Sequence, residues 1–238
     1  MSARQLLLLA LVLMLPVQIA TSQEANVAFP VSLVCCPAEG SEDGLPPAAE
    51  SMIAALLKQS IQFISFSTDD LSQATDTAVL WVQLGDGYTM QPAEHLGIGE
   101  FVKSGGALVI TPAPHAGEAV FTEFNRLLAA LQANARFIPE QTVVGMHMAG
   151  VGVQVEGLAD IYLNNPTPIW ANNKALTILQ GCIDDTNLVW GVMERVGKGH
   201  VVVLGSAILS QDAPDDKDYD NLPFVTALIN WLYEQATM

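Results

Sequence analysis

Two apolar patterns alternate along most of the chain. "TAVLWVQLG" (77–85) and "ALVIT" (107–111) are nearly unbroken apolar runs, the pattern of strands covered on both faces. "VAFPVSLVCC" (27–36) and "IQFISFS" (61–67) are β-rich in the same way,. Between them, "PPAAESMIAALLKQS" sets Met52, Ala55, Leu56 and Ser60 near one face at helical spacing, behind a proline start,. "QPAEHLGIGEFVKSGG" predicts a second helix, with Pro92 at its start, Glu94 in its first turn, Lys103 in its last and Gly105 at its stop,. Glu118 to Asn134 predicts a third, whose inner stripe is Phe121, Phe124, Leu128 and Leu131,. The order β-α-β-β-α-β-α predicts an α/β fold: a mostly parallel sheet sandwiched by helices.

Beyond Asn134 the pattern breaks up. "TVVGMHMAGVGVQV" and "IYLNNPTPIW" are interrupted by glycine and proline and predict short, irregular strands,. "NLVWGVMERV" and "HVVVLGSA" flank "GKG" and predict a late antiparallel hairpin,. A last helix is expected from Leu222 to Gln235, capped by Asp220 or Asn221, with Phe224, Leu228, Trp231 and Leu232 as its buried stripe,.

The first residues change the picture of where this fold works. Arg4, an apolar run from Leu6 to Leu15 and the small residues Ala20, Thr21 and Ser22 form a secretory signal peptide over residues 1–22,. The run is too short for a membrane anchor, which needs roughly 20 apolar residues. Residues 23–238 are then expected to fold as one domain, secreted or periplasmic. Losing Arg4 leaves eight basic against 25 acidic residues and moves the formal charge from −16 to −17. Such a charge argues against nucleic acid and against anionic membrane surfaces. No Asn-x-Ser/Thr acceptor for N-glycosylation occurs, because Asn165 is followed by proline,. Cys35, Cys36 and Cys182 are an odd set. Either Cys182 bridges to Cys35 or Cys36, or all three stay reduced; adjacent cysteines are too strained to pair with each other.

Three segments, in order, carry a resemblance: "TAVLWVQLGDGYTMQPAEHLGIGEFVKSGGALVITP", "FNRLLAALQANARF" and "GKGHVVVLGSAILS" with its following "DNLPFVTALINWL". Together they resemble the class I glutamine-amidotransferase-like domain, a flavodoxin-like α/β fold. The branches they are most similar to are non-amidotransferase ones: ThuA-like proteins, the trimerisation domain of some β-galactosidases, and domains of the gliding-motility (GldG) and intraflagellar-transport type. The match runs from Thr77 to Tyr233 with gaps, and its motifs are structural.

An amidotransferase needs a cysteine on the turn after a central strand, with histidine and glutamate from a late segment. Here that turn reads Pro112, Ala113, Pro114, His115, and the late "GSAILS" holds no His-x-Glu. No catalytic residue is assigned and no cofactor is expected. Asp86, His115 and Glu118 lie at C-terminal ends of strands, where open α/β sheets bind ligands,. Each also has a plainer reading: Asp86 as a turn residue, Glu118 as the N-terminal charge of its helix. The run Asp212, Asp215, Asp216, Asp218, Asp220 lacks the glycine and glutamate of an EF-hand,; a solvated acidic loop and a Ca²⁺ site using Asp212, Asp216 and Asp218 are the two readings, the first preferred. The leading expectation is a non-catalytic binding or protein-interaction module, with a ThuA-like enzyme or sugar-binding protein using rim carboxylates and His115 as the alternative. Its partner is an unknown protein or carbohydrate, and a homo-oligomer is compatible with the resemblance. A deep pocket with converging titratable groups at the rim would favour the enzyme; a shallow rim with an exposed apolar patch would favour the interaction module.

Overall fold

The computed structural model describes residues 29–36, 47–66, 75–151, 161–210 and 221–237. Its elements in chain order are β1 (Phe29–Cys36), α1 (Pro47–Lys58), β2 (Ile61–Phe66), β3 (Val79–Leu84), α2 (Pro92–Ser104), β4 (Ala107–Pro112) and α3 (Glu118–Ala130). There follow β5 (Arg136–Phe137), β6 (Met146–Val151), β7 (Ile161–Asn164), β8 (Ile169–Trp170), β9 (Leu176–Ile183), β10 (Thr186–Val196), β11 (Gly199–Leu204) and α4 (Asn221–Thr237). Among the described residues the strands form a nine-stranded sheet in the order β2-β1-β3-β4-β11-β10-β9-β6-β7, and β5 pairs with β8 apart from it. The half from β2 to β11 is parallel and the half from β11 to β7 is antiparallel.

The unbroken apolar runs are explained by burial on both faces. Along β3, Leu80, Val82 and Leu84 join one core while Val79 and Trp81 join the other. β4 splits the same way, Leu108 and Ile110 against Ala107 and Val109. The first core is closed by α2 and α3, through Phe101, Val102, Phe121, Phe124, Leu127 and Leu128. The second is closed by α1 and α4, through Leu56, Phe224, Val225, Ile229 and Leu232. Trp81 satisfies its indole N–H on the Thr111 hydroxyl at 3.0 Å, as a buried tryptophan must.

The structure corrects the reading of the second half. Leu176–Ile183 is a single strand, paired with β10 from Thr186↔Ile183 to Met193↔Leu176 with register shifts around Gly191. Its hairpin turns through Asp184 and Asp185, both at positive φ (48° and 63°), the backbone of a primed turn made without glycine. Of the two expected caps of the last helix, Asp220 lies outside the described residues. The Asn221 side chain faces β7: its Oδ1 accepts the Tyr162 N–H at 2.7 Å and its Nδ2 donates to the Tyr162 carbonyl at 2.9 Å. One amide side chain thus stands in for a further strand at the sheet edge. Asn125 of α3 does the same for both backbone groups of Phe137 in β5.

His200 gives the fold a pH dependence. It pairs with Arg195 across β10 and β11 and packs edge-on against Trp231, ring centroids 5.2 Å apart. Burial, and then the Arg195 charge, hold its pKa below the ordinary histidine value,. The unfolded chain therefore binds this proton more readily, so stability is fully present above about pH 6.5 and falls as the pH drops below it. Urea midpoints measured across that window should decline with falling pH in the native protein, and the decline should flatten in His200→Phe. An unchanged slope in the variant would remove His200 from the account.

Candidate functional site

The candidate site lies at the C-terminal edge of the parallel strands. β4 runs one residue beyond its last pair, where the Ala113 N–H donates to the Leu84 carbonyl at 2.7 Å. A β-turn follows, closed by the Ala116 N–H on the Ala113 carbonyl at 3.2 Å. Pro114 and His115 occupy its central positions, and His115 takes φ 61°. A proline followed by a left-handed residue suits such a turn, and histidine is among the few side chains that tolerate that backbone. The next N–H, that of Gly117, donates to Asp86 Oδ1 at 2.7 Å. Asp86 therefore binds the start of α3 to the turn after β3.

The facing wall comes from the antiparallel half. The Thr167 N–H donates to the Gly205 carbonyl and the Ser206 hydroxyl to the Asn164 carbonyl, each at 2.8 Å. These bonds pin residues 164–167 across the end of β11. Asn165, at φ 46°, accepts the Gly145 N–H on Oδ1 at 2.7 Å and donates its own N–H to the Gly145 carbonyl at 2.8 Å. The Thr142 hydroxyl donates to the Pro139 carbonyl and meets the Thr167 hydroxyl, both at 2.8 Å. Between the walls is an open cleft of about 330 Å³, based on Phe121 and the prolines of the turn and reaching out to Val144.

Of the three residues singled out from the sequence, the structure brings one to the cleft. His115 lines it; Asp86 holds the turn from behind and Glu118 is an exposed residue in the first turn of α3. Asp212, Asp216 and Asp218 lie outside the described residues. So do residues 1–22. Cys182 is a free, exposed thiol on β9, and the strand order sets β9 five strands from β1. At roughly 4.8 Å per strand that is on the order of 24 Å, far beyond the reach of a disulfide to Cys35 or Cys36. Thr142, Val144, Asn165 and Ser206 were not foreseen. The signal for Asn165 was present in "NNP", since asparagine favours the left-handed region and a following proline disfavours helix.

The cleft offers little for covalent chemistry. His115 is its one titratable side chain among the described residues, and no carboxylate lines it. The Thr142 and Ser206 hydroxyls each commit their proton to a backbone carbonyl, so neither presents it to a base. Among the described residues no group of three or more His, Cys, Asp or Glu converges as a metal site, and no helix is long and apolar enough to cross a membrane. Outside the cleft, Glu123 is the one buried carboxylate of α3. It bonds His95 at 3.1 Å and Arg126 at 3.0 Å and so locks α3 to α2.

No family model matches the chain, and no curated protein matches it either. Solved structures do. The mmIFT52 N-terminal domain superposes with a TM-score of 0.61 at 15% identity, over 85% of this chain and 96% of that one. A β-galactosidase from Bacillus circulans sp. alkalophilus gives 0.56 at 15% identity over 89% of this chain, which spans 32% of that enzyme. A ThuA-like protein from Bacteroides uniformis gives 0.51 at 13% identity, over 89% and 94% of the two chains. These likenesses establish the fold: an α/β sheet flanked by helices, shared with a ThuA-like protein and with part of a β-galactosidase.

Proposed function

We propose that this chain is a secreted or periplasmic, non-catalytic module on the glutamine-amidotransferase-like fold, and that it binds a protein partner at the rim of its sheet. The observation that carries this reading is the rim itself. Among the described residues it is open, holds a single titratable side chain, and runs out at Val144 into apolar side chains left in solvent. A working acyl-transfer site requires a thiolate beside a base and oxyanion donors. The turn instead carries Pro112 and Pro114, which have no N–H to donate,. The fold's presence as part of a larger β-galactosidase and as an IFT52 domain supports the idea of a module that works through contacts.

A second reading has one observation in its favour. Among the described residues the cleft wall has no acidic side chain, lysine or arginine, and Asn165 stands beside an apolar base, which suits a neutral hydroxylated ligand such as a sugar. The test covers both. Protein recovered from outside the cytoplasm should begin near Gln23 and release no ammonia from glutamine above a buffer blank. Ammonia release abolished by mutating any one cysteine would overturn the proposal. Calorimetric heat with a neutral monosaccharide, lost in His115→Ala, would give the second reading precedence.

A further inference from the structure

Among the described residues, β6 in the outer part of the antiparallel half is covered on one face and open on the other. Ala149, Ile161, Leu163, Leu179 and Trp190 point into the core closed by α1 and α4. Their alternates point away: Met146 and Met148 are 49% and 59% exposed, and Val144, just before them, is 85% exposed. Met146 and Met148 share one side of β6,, and Val144, just across the bend at Gly145, lines the His115 cleft. Continuing the β6–β9 register of Gly150↔Gln180 by two residues sets Met148 level with Cys182, two residues before the Asp184–Asp185 turn. An apolar strip therefore runs from the cleft toward an acidic hairpin tip.

We infer that this strip and the cleft it joins dock an apolar segment of another protein that is flanked by lysine or arginine. This inference rests on the binding-module reading above and adds the chemistry of the partner. Charge decides the occupant. Residues 142–151, 161–168 and 176–187, which build this face, contain Asp184 and Asp185 and no lysine or arginine. A second copy of a chain with formal charge −16 would bring acid to acid, whereas a basic flank is attracted and its apolar core finds the methionines. The partner binds the face of the sheet, because the edge is closed. The outward backbone groups of β7 are engaged by Asn221 at Tyr162 and by Ser206 at the Asn164 carbonyl, leaving little for an added strand to pair with.

The probe is a phage-displayed random-peptide library panned on the full chain. Enriched peptides should carry apolar residues beside lysine or arginine and should bind less tightly as salt rises. Their affinity should fall about tenfold or more in the double variant Val144→Ser, Met148→Ser, and should also fall in Asp184→Asn, Asp185→Asn, which removes the charge with a side chain that tolerates positive φ,. Leu57→Ser, which removes an exposed apolar side chain from α1, should leave it unchanged. The altered side chains are exposed, so circular dichroism melts of all variants should overlay the native curve. Peptides without basic residues, or peptides indifferent to the Val144/Met148 change, would overturn the inference. So would a concentration-dependent dimer or vesicle binding that the same change abolishes, since either assigns the face to a second copy or to lipid. Ammonia release from glutamine would break the non-catalytic reading while leaving the peptide result standing, so the two failures are distinguishable.

Discussion

Gly199→Ala is expected to lower stability by about 3 kcal/mol or more, a large fraction of the roughly 5–15 kcal/mol that holds a domain folded. A Cβ at this position would lie 2.1 Å from the Gly106 carbonyl oxygen and 2.3 Å from the Val102 carbonyl oxygen. Both neighbours are backbone, from the end of α2 and the glycine pair that follows it, so neither can rotate out of the way. Moving them would break the bonds that join the two segments there, from the His200 N–H to the Gly106 carbonyl and from the Lys198 N–H to the Lys103 carbonyl. Two substitutions nearby calibrate the effect. Gly105→Ala meets no atom within 4 Å but must take φ 128°, which costs on the order of 1 kcal/mol. Lys198→Ala removes an exposed side chain and should change stability by less than about 0.5 kcal/mol,. Urea unfolding of the three variants checks the order, and a Gly199→Ala midpoint close to the native one would show that this junction is not packed as described.

The same junction explains what the sequence could and could not reveal. "FVKSGG" and "GKG", the two motifs most responsible for the resemblance, touch each other at the N-terminal ends of β4 and β11. The rim is at the other end of those strands, roughly 17 Å away for a six-residue strand,. Their glycines answer to backbone geometry, so they identify a fold and carry no information about a ligand. The centre of the parallel half was legible because β3 and β4 are buried on both faces and each reads as one apolar run. The stripe Phe121, Phe124, Leu128, Leu131 was legible because α3 is amphipathic over its whole length, and all four are buried. β9 was not, since its burial is uneven and its turn uses two aspartates where glycine or asparagine is the usual signal. Asn221 was only half legible, for a different reason. An asparagine at a helix start signals a cap, and only the tertiary fold brings Tyr162 within its reach. Asp86 and His115 both follow the C-terminal ends of parallel strands, but their division of labour depends on one long-range bond, Gly117 to Asp86, which no local pattern encodes.

Gly205→Ala should be as damaging as Gly199→Ala to stability, and it should also remove the binding face. Gly205 follows the last residue of β11 and is held from two sides: its N–H donates to the Trp190 carbonyl at 2.7 Å, and its carbonyl accepts from Thr167 at 2.8 Å. A Cβ there would sit 2.1 Å from the Thr167 carbonyl oxygen and 3.3 Å from that of Trp190. Relief requires either β10 or the 164–168 crossing to move away. β10 is fixed by pairing on both sides with β9 and β11, so the crossing gives way. That displaces Asn165 and its bonds to Gly145, and with them the start of the Val144–Met148 strip. The expected result is a loss of about 3 kcal/mol in urea unfolding, together with loss of library-selected peptide binding under conditions where circular dichroism shows the variant still folded. Gly105→Ala, strained at the opposite end of the sheet, should lose stability and keep its peptide affinity. If Gly205→Ala instead unfolds earlier but binds peptide as tightly as the native protein while folded, the cleft wall does not depend on this crossing and the docking face must lie elsewhere.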